Sequence, residues 1–498
     1  MSESITAPPP GADTSAAAVE TVDVKAVNRT EQRSLYKKRE KIFPKRARGT
    51  FRRLKWAVMA VTLSVYYLAP WLRWDRGPTA PDQAILIDMP ARRFYFFFIE
   101  IWPQEVYYLT GLLIIAALTL FLLTSLAGRV WCGYACPQTV WTDLFLVVER
   151  AIEGDRSARI RLDRGRWSAN KLFRRVAKHV AWLLIAVCTG GAWVFYFADA
   201  PTLARELAAF EAPTVAYISI AVLTGTTYLL GGLAREQVCI YMCPWPRVQA
   251  AMIDEESLIV SYHPGRGEPR GPIRKGQDPG VQGDCIACNQ CVVVCPMGID
   301  IRDGMQLECI SCALCIDACN EVMDKVGRPK NLISYDTIAN VSRRERGERT
   351  RFHPIRPRTL LYAGLIVLVG VIMLFGLTTR ADLDVNVLRD RNPLFVTLSD
   401  GSIRNGYTLK ILNKVHADRR FDLALEGLEG QGRIKLIGAA DDADPVFQVG
   451  PDRLRSFRIF VIAPPAALGG GANDVTFVLT ERGGDGQARY DSTFRAPE

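Results

Sequence analysis

Long apolar runs separated by arginine-rich loops fill most of the chain. Five runs approach the roughly 20 residues that an α-helix needs to cross a hydrocarbon core. They are residues 55–72, 105–126, 179–198, 213–234 and 359–378. Any single run also fits a buried helix of a soluble protein, but five runs beside strongly charged loops fit transmembrane helices. The pattern predicts a membrane α-helical region with about five transmembrane helices.

Beyond the fifth run the pattern changes to short apolar and β-branched stretches between Gly, Pro, Asn and Asp turns. Six such stretches are residues 395–398, 407–412, 421–425, 434–437, 457–462 and 475–479. Strands at this spacing over ~100 residues are typical of an antiparallel sandwich. The pattern predicts a C-terminal all-β sandwich, and no group of residues in it suggests catalysis.

Positive charge is distributed unevenly, and the formal net charge is +10. Lys and Arg crowd the loops before the first, third and fifth runs, whereas residues 199–212 contain only Arg205. Because such loops stay in the cytoplasm, we expect the N-terminus, residues 128–178 and residues 235–358 inside and the C-terminal tail outside. The arginine runs are not interleaved with aromatic residues, so nucleic acid is not an expected partner. Residues 1–35 lack an apolar signal-peptide core and are expected to be disordered.

Eight of the 13 cysteines fall in two runs that begin 24 residues apart, and each run reads C-x2-C-x2-C-x3-C. At this spacing three thiolates bind one [4Fe-4S] cubane and the fourth binds the neighbouring cubane. The predicted ligands are Cys285, Cys288, Cys291 and Cys319 for one cluster, and Cys309, Cys312, Cys315 and Cys295 for the other. Structural zinc is the alternative, but zinc sites usually show two cysteine pairs across a longer spacer. Electron transfer is therefore the leading hypothesis.

Four further cysteines form a repeated motif, C-x-Y-x-C-P, after the second and fourth apolar runs. One copy contains Cys132 and Cys136, and the other contains Cys239 and Cys243. Cysteines at i and i+4 share one helix face, and the following proline ends that helix or begins the next. The repeat suggests two duplicated hairpins. Four soft thiolates favour Cu(I), zinc or an iron–sulfur centre, with simple interior packing as the alternative.

The sequence contains no motif for haem, nucleotide or flavin cofactors. The four histidines form no pair within or between apolar runs, so a transmembrane b-type haem is not expected, and no C-x-x-C-H is present. Neither a P-loop nor a strand-flanked G-x-G-x-x-G occurs. Electrons are therefore expected from a quinol, a soluble donor or a partner subunit.

Specific stretches of the chain carry a family resemblance. They are residues 102–110, 131–137, 239–244, 285–319, 388–394 and 400–407. Together they resemble the CcoG/FixG/RdxA family of cytochrome c oxidase accessory proteins, over roughly residues 35–495. The resemblance implies a bacterial inner-membrane protein that supports assembly of the cbb-type oxidase and reduces Cu(II) to Cu(I) for its copper centre. It also implies that the β tail is an immunoglobulin-like domain in the periplasm.

The predicted organisation has five parts. They are a disordered N-terminus (1–35), four transmembrane helices with the twin motifs (36–250), a cytoplasmic ferredoxin-like 2[4Fe-4S] domain (251–345), a basic linker with the fifth transmembrane helix (346–380) and a periplasmic immunoglobulin-like β-sandwich (381–498).

The function hypothesis is a cupric reductase. In it, the two [4Fe-4S] clusters supply electrons to copper held at Cys132, Cys136, Cys239 and Cys243. The expected partners are the membrane and either oxidase subunits or copper-handling proteins. Two alternatives stay open: a NapH-like quinol dehydrogenase membrane subunit, which shares the twin motifs and the double ferredoxin run, and a non-enzymatic assembly scaffold.

Overall fold

The computed structural model describes residues 19–28, 40–78, 80–272, 282–438 and 445–497. The chain divides into two compact units. The first contains Met1–Leu72 and Gln83–Met373, and the second contains Arg73–Asp82 and Leu374–Glu498.

Helices dominate the first unit. Those up to the second cysteine motif are α1 (Thr50–Leu68), α2 (Tyr107–Ala127), α3 (Val130–Tyr134), α4 (Pro137–Glu153), α5 (Arg156–Arg164), α6 (Ala169–Val194), α7 (Ala200–Ala209) and α8 (Thr214–Thr227). Two π-helical turns follow α8, at Tyr228–Ala234 and Val238–Met242. The remaining helices are α9 (Trp245–Met252), α10 (Pro264–Gly267), α11 (Gln290–Val293), α12 (Leu314–Val326), α13 (Ile338–Glu345) and α14 (Pro357–Thr378).

Four helices in the described part of the chain are long and apolar enough to cross a membrane. They span Pro103–Ala127, Ala169–Val194, Thr214–Ala234 and Pro357–Thr378, and they match four of the five predicted runs. The predicted first run coincides with α1, which is helical but is not among the four helices apolar enough to cross a membrane. Its first turns contain the charged residues Arg52, Arg53 and Lys55. Further along, α1 still exposes apolar side chains such as Val61 and Val65.

Two small sheets were not predicted. Strands β1 (Ile85–Asp88), β2 (Arg93–Phe96) and β3 (Ile99–Ile101) form one antiparallel sheet between α1 and α2. Strands β4 (Ile259–Tyr262) and β5 (Ile333–Asp336) pair antiparallel. Because β4 precedes both cysteine runs and β5 follows them, this pair closes the cysteine-rich segment into a single domain.

Residues 1–35 were predicted to be disordered, but residues 19–28 are ordered in the structure. The rest of that stretch lies outside the described residues. The Val22 amide donates to the Cys288 carbonyl at 3.3 Å, and the Val27 amide donates to the Gly298 carbonyl at 2.9 Å. Ala26 is buried in the same apolar cluster as Cys285. Apolar residues Val22, Val24 and Ala26 alternate with the exposed Asp23 and Lys25, and the order of the segment comes from these tertiary contacts.

The second unit is a two-sheet sandwich, as predicted. Its strands are β6 (Leu383–Arg389), β7 (Val396–Thr397), β8 (Ile403–Asn413), β9 (Arg419–Gly427), β10 (Arg433–Leu436), β11 (Val446–Val449), β12 (Arg453–Ala463), β13 (Ala472–Glu481) and β14 (Gln487–Arg495). One sheet has the order β10-β12-β8-β6, with β7 also paired to β8, and the other has the order β11-β9-β13-β14. Alternate residues such as Leu409, Ile459 and Phe477 fill the core between the sheets.

Candidate metal centres

The two cysteine runs form matching loops. In each loop, the residues on either side of the second cysteine adopt left-handed backbone conformations. Their φ values are 52° at Ala287, 56° at Asn289, 52° at Ser311 and 59° at Ala313. Non-glycine residues in this region carry strain that is usually kept for function. Successive amides in such turns form concave nests that bind anions, iron–sulfur clusters included. The loops therefore fit [4Fe-4S] clusters in both ligand chemistry and backbone shape.

The fourth cysteine of each run lies with the other run. Cys319 is close enough to Cys285 and Cys288 to interact with them electrostatically, and Cys295 has the same relation to Cys312 and Cys309. We name cluster site A as Cys285, Cys288, Cys291 and Cys319, and cluster site B as Cys309, Cys312, Cys315 and Cys295. The chain thus brings together the two sets of four thiols that the crossover spacing predicted.

Burial disfavours free thiolates at both sites. It raises the pKa of Cys319 at site A and of Cys295 at site B to about 12, and that of Cys309 to about 11. A buried thiolate needs compensating positive charge. Iron ions supply that charge, so these thiols are suited to metal binding and poorly suited to remain as free anions.

An arginine lies beside each site, Arg129 buried and Arg302 partly buried, and neither was identified from the sequence. Arg302 donates to Asn289 Oδ1 at 2.8 Å and to Asp300 Oδ2 at 2.6 Å, and it interacts with Cys291 and Cys285 of site A. Arg129 is 4% exposed and interacts with Cys309 of site B. Arg129 donates to the Leu307 carbonyl, and no carboxylate pairs with it among the described residues. Neither arginine belongs to a motif, so no sequence signal pointed to them.

We expect Arg129→Gln to lower the reduction potential of the cluster at site B. The reduced cluster carries one more negative charge, which the guanidinium stabilises. A unit charge about 8 Å away contributes on the order of 2 kcal/mol at an effective dielectric constant near 20, or roughly 90 mV for one electron. An EPR-monitored redox titration measures the shift. Arg129→Lys keeps the charge and serves as the control; equal potentials in all three proteins would contradict the assignment.

The twin motifs converge into a third group of thiols, the four-cysteine site of Cys132, Cys136, Cys239 and Cys243. Cys132 interacts electrostatically with Cys136 and Cys243, and Cys239 with all three others. Burial raises the pKa of Cys132, and it raises that of Cys239 to about 12. The Cys132 thiol donates to Gln249 Oε1 at 3.0 Å. Gln249, on α9 after the second motif, thereby links the two copies.

The local structure of the motifs differs from the predicted shared helix face. Cys132 lies in α3, which ends at Tyr134, and Cys136 caps α4. Cys239 lies in a π-helical turn that ends at Met242, followed by Cys243 in an extended conformation. Pro137 begins α4, and Pro244 caps α9. The prolines open the next helices as expected, and the break before each proline turns the second cysteine of each pair back towards the first.

The four-cysteine site packs directly against site B. A Cβ atom on Gly133 would lie 2.6 Å from the Ile310 carbonyl oxygen and 3.0 Å from Cys312 Cα. The Tyr134 hydroxyl donates to the Cys312 carbonyl at 3.2 Å. Cys132 and Cys312 belong to the same buried apolar cluster. The first motif therefore lies in van der Waals contact with the loop that carries three site B cysteines.

Gly133→Ala is expected to destabilise this contact. The added Cβ has to move the backbone of the site B loop, and overpacking of this kind costs about 1–3 kcal/mol. The melting temperature of the cluster-loaded protein should fall by several degrees, and the EPR signal of the cluster at site B should broaden. Gly225→Ala in α8 is the matched control, because nothing lies within 4 Å of its added Cβ. Equal melting temperatures would show that the contact is loose.

Family comparisons agree with this arrangement. A family model described as a 4Fe-4S dicluster domain matches residues 234–338, and one described as an Ig-like fold at the C-terminal of FixG matches residues 373–497. A third, described as a 4Fe-4S binding domain, matches residues 109–153, which include Cys132 and Cys136. The predicted fold class is confirmed.

Curated relatives cover nearly the whole chain. Nitrogen fixation protein FixG of Rhizobium meliloti is 52% identical over 97% of this chain and 98% of that protein. Protein RdxB of Cereibacter sphaeroides is 58% identical over 87% of this chain and 91% of its own length. Protein RdxA of the same organism is 52% identical over 90% of this chain and 95% of its own length. Together with the cysteine loops, the apolar helices and the β-sandwich, these matches show that the chain belongs to the FixG/RdxA family of iron–sulfur membrane proteins.

Proposed function

We propose that this protein is a membrane-bound reductase that delivers electrons to Cu(II) and releases Cu(I) for assembly of a cbb-type cytochrome c oxidase. The observation that carries the proposal is the contact between the four-cysteine site and site B, made by Gly133 and Tyr134 against Cys312. It leaves no intervening protein layer between a set of soft thiols and a predicted cluster.

The four-cysteine site is the proposed place of copper reduction. Thiolates are soft ligands and favour Cu(I) over Cu(II), so binding at these thiols itself favours the reduced ion. Arg129 interacts with Cys132 and Cys239 as well as with Cys309. Its positive charge lies near both sites and stabilises thiolates there. Clusters at sites A and B supply one-electron transfer, which matches the one-electron reduction of Cu(II).

The proposed orientation follows from the positive-inside rule. Arg349, Arg351 and Arg356 directly precede α14. We therefore infer that the ferredoxin-like domain and the four-cysteine site face the cytoplasm and that the β-sandwich faces the periplasm. Oxidase subunits or copper-handling proteins are the proposed partners of the sandwich.

The experiment is an anaerobic cupric reductase assay on the purified, cluster-loaded protein. Dithionite reduces the protein, excess reductant is removed, and Cu(II) is added with a Cu(I)-specific chelator. The proposal predicts rapid formation of Cu(I) and loss of the EPR signal of the reduced clusters. An assembly scaffold without redox activity predicts neither.

A third cubane is the second candidate occupant of the four-cysteine site. The 4Fe-4S binding domain match at residues 109–153 includes half of its cysteines. In addition, no three cysteine sulfurs in the described ranges all lie within 4.8 Å of one another. A single ion bound by four sulfurs at about 2.3 Å needs them under about 4 Å apart. The present spread therefore suits a larger centre.

Metal analysis separates the two candidates. Clusters at sites A and B alone give about eight iron atoms per chain, and a third cubane gives about twelve. Copper at the four-cysteine site predicts about eight, together with copper uptake that fails when these thiols are alkylated. Twelve irons without copper uptake would support the third cubane and refute the copper site.

A further inference from the structure

The N-terminal strap, residues 19–28, lies across the loop that carries three cysteines of site A. Its side chains alternate between an inner and an outer face. The inner side chains, which are buried or partly buried, are those of Val22, Val24 and Ala26, and the exposed outer ones are those of Thr21, Asp23 and Lys25. Val24 and Ala26 pack in the same apolar cluster as Cys285 and Cys319 of site A. The inner face of the strap therefore covers site A, and the outer face is exposed to solvent.

The middle of the strap is hydrogen-bonded to the site A loop itself. The Val22 amide donates to the Cys288 carbonyl at 3.3 Å, and the Asn289 side-chain amide donates back to the Val22 carbonyl at 2.7 Å. The side chain of Gln290 donates to the Glu20 carbonyl at 2.7 Å. Asn289 is one of the left-handed residues of the loop, with φ 56°. The strap is therefore bound to the strained turn that follows Cys288.

Both ends of the strap are fixed to neighbouring segments. At one end, the Glu20 carboxylate pairs with the Lys45 ammonium at 2.7 Å. At the other end, the Asn28 side-chain amide donates to the Met297 carbonyl at 2.7 Å, and the Asn28 backbone amide donates to the Gly298 carbonyl at 3.1 Å. Contacts at both ends and in the middle make the strap a fixed part of the wall around site A.

Water close to a [4Fe-4S] cluster changes its reduction potential. The reduced cluster carries one more negative charge than the oxidised cluster, and water stabilises that charge, so exposure to solvent raises the potential. A dry apolar cover has the opposite effect. The inner side chains of the strap are hydrocarbon and carry no formal charge, so they act on a cluster at site A by excluding water.

We propose that the N-terminal strap keeps water away from the cluster at site A and thereby holds the reduction potential of that cluster low. The inference requires a cluster at site A but does not require copper reduction, so it stands or falls separately from the proposed function. At site B the first cysteine motif lies against the loop instead, through Gly133 and Tyr134. A change on the inner face of the strap should therefore act on site A and spare site B.

Ala26→Asp and Val22→Pro loosen the strap in two different ways. Ala26→Asp places a carboxylate among buried apolar side chains, where an unpaired charge is costly. Val22→Pro removes the amide that donates to the Cys288 carbonyl and adds no charge. Thr21→Asp is the matched control, because it adds the same charge as Ala26→Asp at an exposed position of the strap.

Two measurements on the full-length, cluster-loaded protein test the effect on site A. An EPR-monitored redox titration should show a shift to a more positive potential in Ala26→Asp and in Val22→Pro. In D2O, the deuterium modulation in the electron spin echo of the reduced cluster should deepen in both variants, because water then approaches the cluster. Thr21→Asp should leave the modulation unchanged and should not raise the potential. The added charge of Ala26→Asp cannot imitate the expected shift, since a nearby carboxylate lowers the potential.

A background that lacks site A assigns the effect to one cluster. When Ala26→Asp is combined with Cys288→Ala and Cys319→Ala, the potential of the remaining cluster should not change. If Ala26→Asp does not fold, Val22→Pro decides. Unchanged potential and modulation in the deciding variant, or an equal shift in the background without site A, would overturn the proposal. Loss of site A iron from both variants during anaerobic preparation would also overturn it, because the strap would then hold the cysteine loop together instead of tuning the cluster.

Discussion

Cys288→Ala combined with Cys319→Ala is expected to remove one cluster and leave the other intact. Both thiols belong to site A, where Cys319 lies beside Cys288 despite their separation in the sequence. A cubane that loses two of its four ligands is not retained, so iron should fall from about eight to about four atoms per chain. The EPR signal of one reduced cubane should persist at full intensity.

The matched variant is Cys288→Ala combined with Cys295→Ala. It also removes two thiols, and both come from the same run of the sequence. Because Cys295 lies with Cys309 and Cys312, this variant damages both sites, and both cubane signals should be impaired. The opposite pattern, in which this second variant spares one cubane and the first variant spares none, would mean that each run binds its own cluster.

Cys132→Ala combined with Cys136→Ala is expected to abolish copper reduction while both ferredoxin clusters remain. These two thiols make up half of the four-cysteine site and lie outside the loops of sites A and B. Cu(II) reduction should fall at least tenfold, because two remaining thiols hold the ion less tightly than four. A chelator assay measures Cu(I), and the EPR signal of the dithionite-reduced protein reports the clusters.

Cys188→Ala is the control for this variant. Cys188 is an exposed free cysteine in α6, and its loss should change neither copper reduction nor iron content. Retained cupric reduction in the Cys132→Ala, Cys136→Ala protein would refute the copper assignment. If the third cubane occupies the site, the same variant instead loses about four iron atoms per chain.

The cysteine spacing predicted the grouping at the metal centres because ligand geometry restricts spacing directly. The crossover of Cys295 and Cys319 follows from the position of the fourth thiol, one helical turn beyond the third. The cations Arg129 and Arg302 could not be predicted in this way. Their positions depend on how α2 and the site loops pack, and isolated arginines carry no local pattern.

The β-sandwich was predicted in its centre and at the edge strand β10, but three other edge strands were missed. Strands β6, β11 and β14 were not predicted, and all three are edge strands of their sheets. An edge strand has one neighbour and is often polar or short. Strand β14 (Gln487–Arg495), for example, contains the polar residues Arg489, Asp491 and Ser492 and only a few apolar residues. Central strands such as β8 and β12 contribute alternate residues to the core and carry the apolar alternation that predicts a strand.

Helix α1 shows what a hydropathy average cannot predict. Helix α1 has exposed apolar residues in its second half, yet its first turns contain Arg52 and Lys55, both buried. Arg52 pairs with Asp143 of α4 at 2.8 Å. A hydropathy average counts these charges as unfavourable. It takes no account of Asp143, which neutralises Arg52 in the folded protein.

Electron transfer from the clusters to copper is tested most directly by a single-turnover experiment with fully reduced protein. Protein loaded with both clusters is reduced, freed of reductant and mixed anaerobically with a small excess of Cu(II), while cluster EPR and Cu(I) are quantified in the same sample. We expect about two Cu(I) per chain, one for each cluster that loses its reduced EPR signal. Clusters that stay reduced in the presence of Cu(II), with no Cu(I) formed, would contradict it.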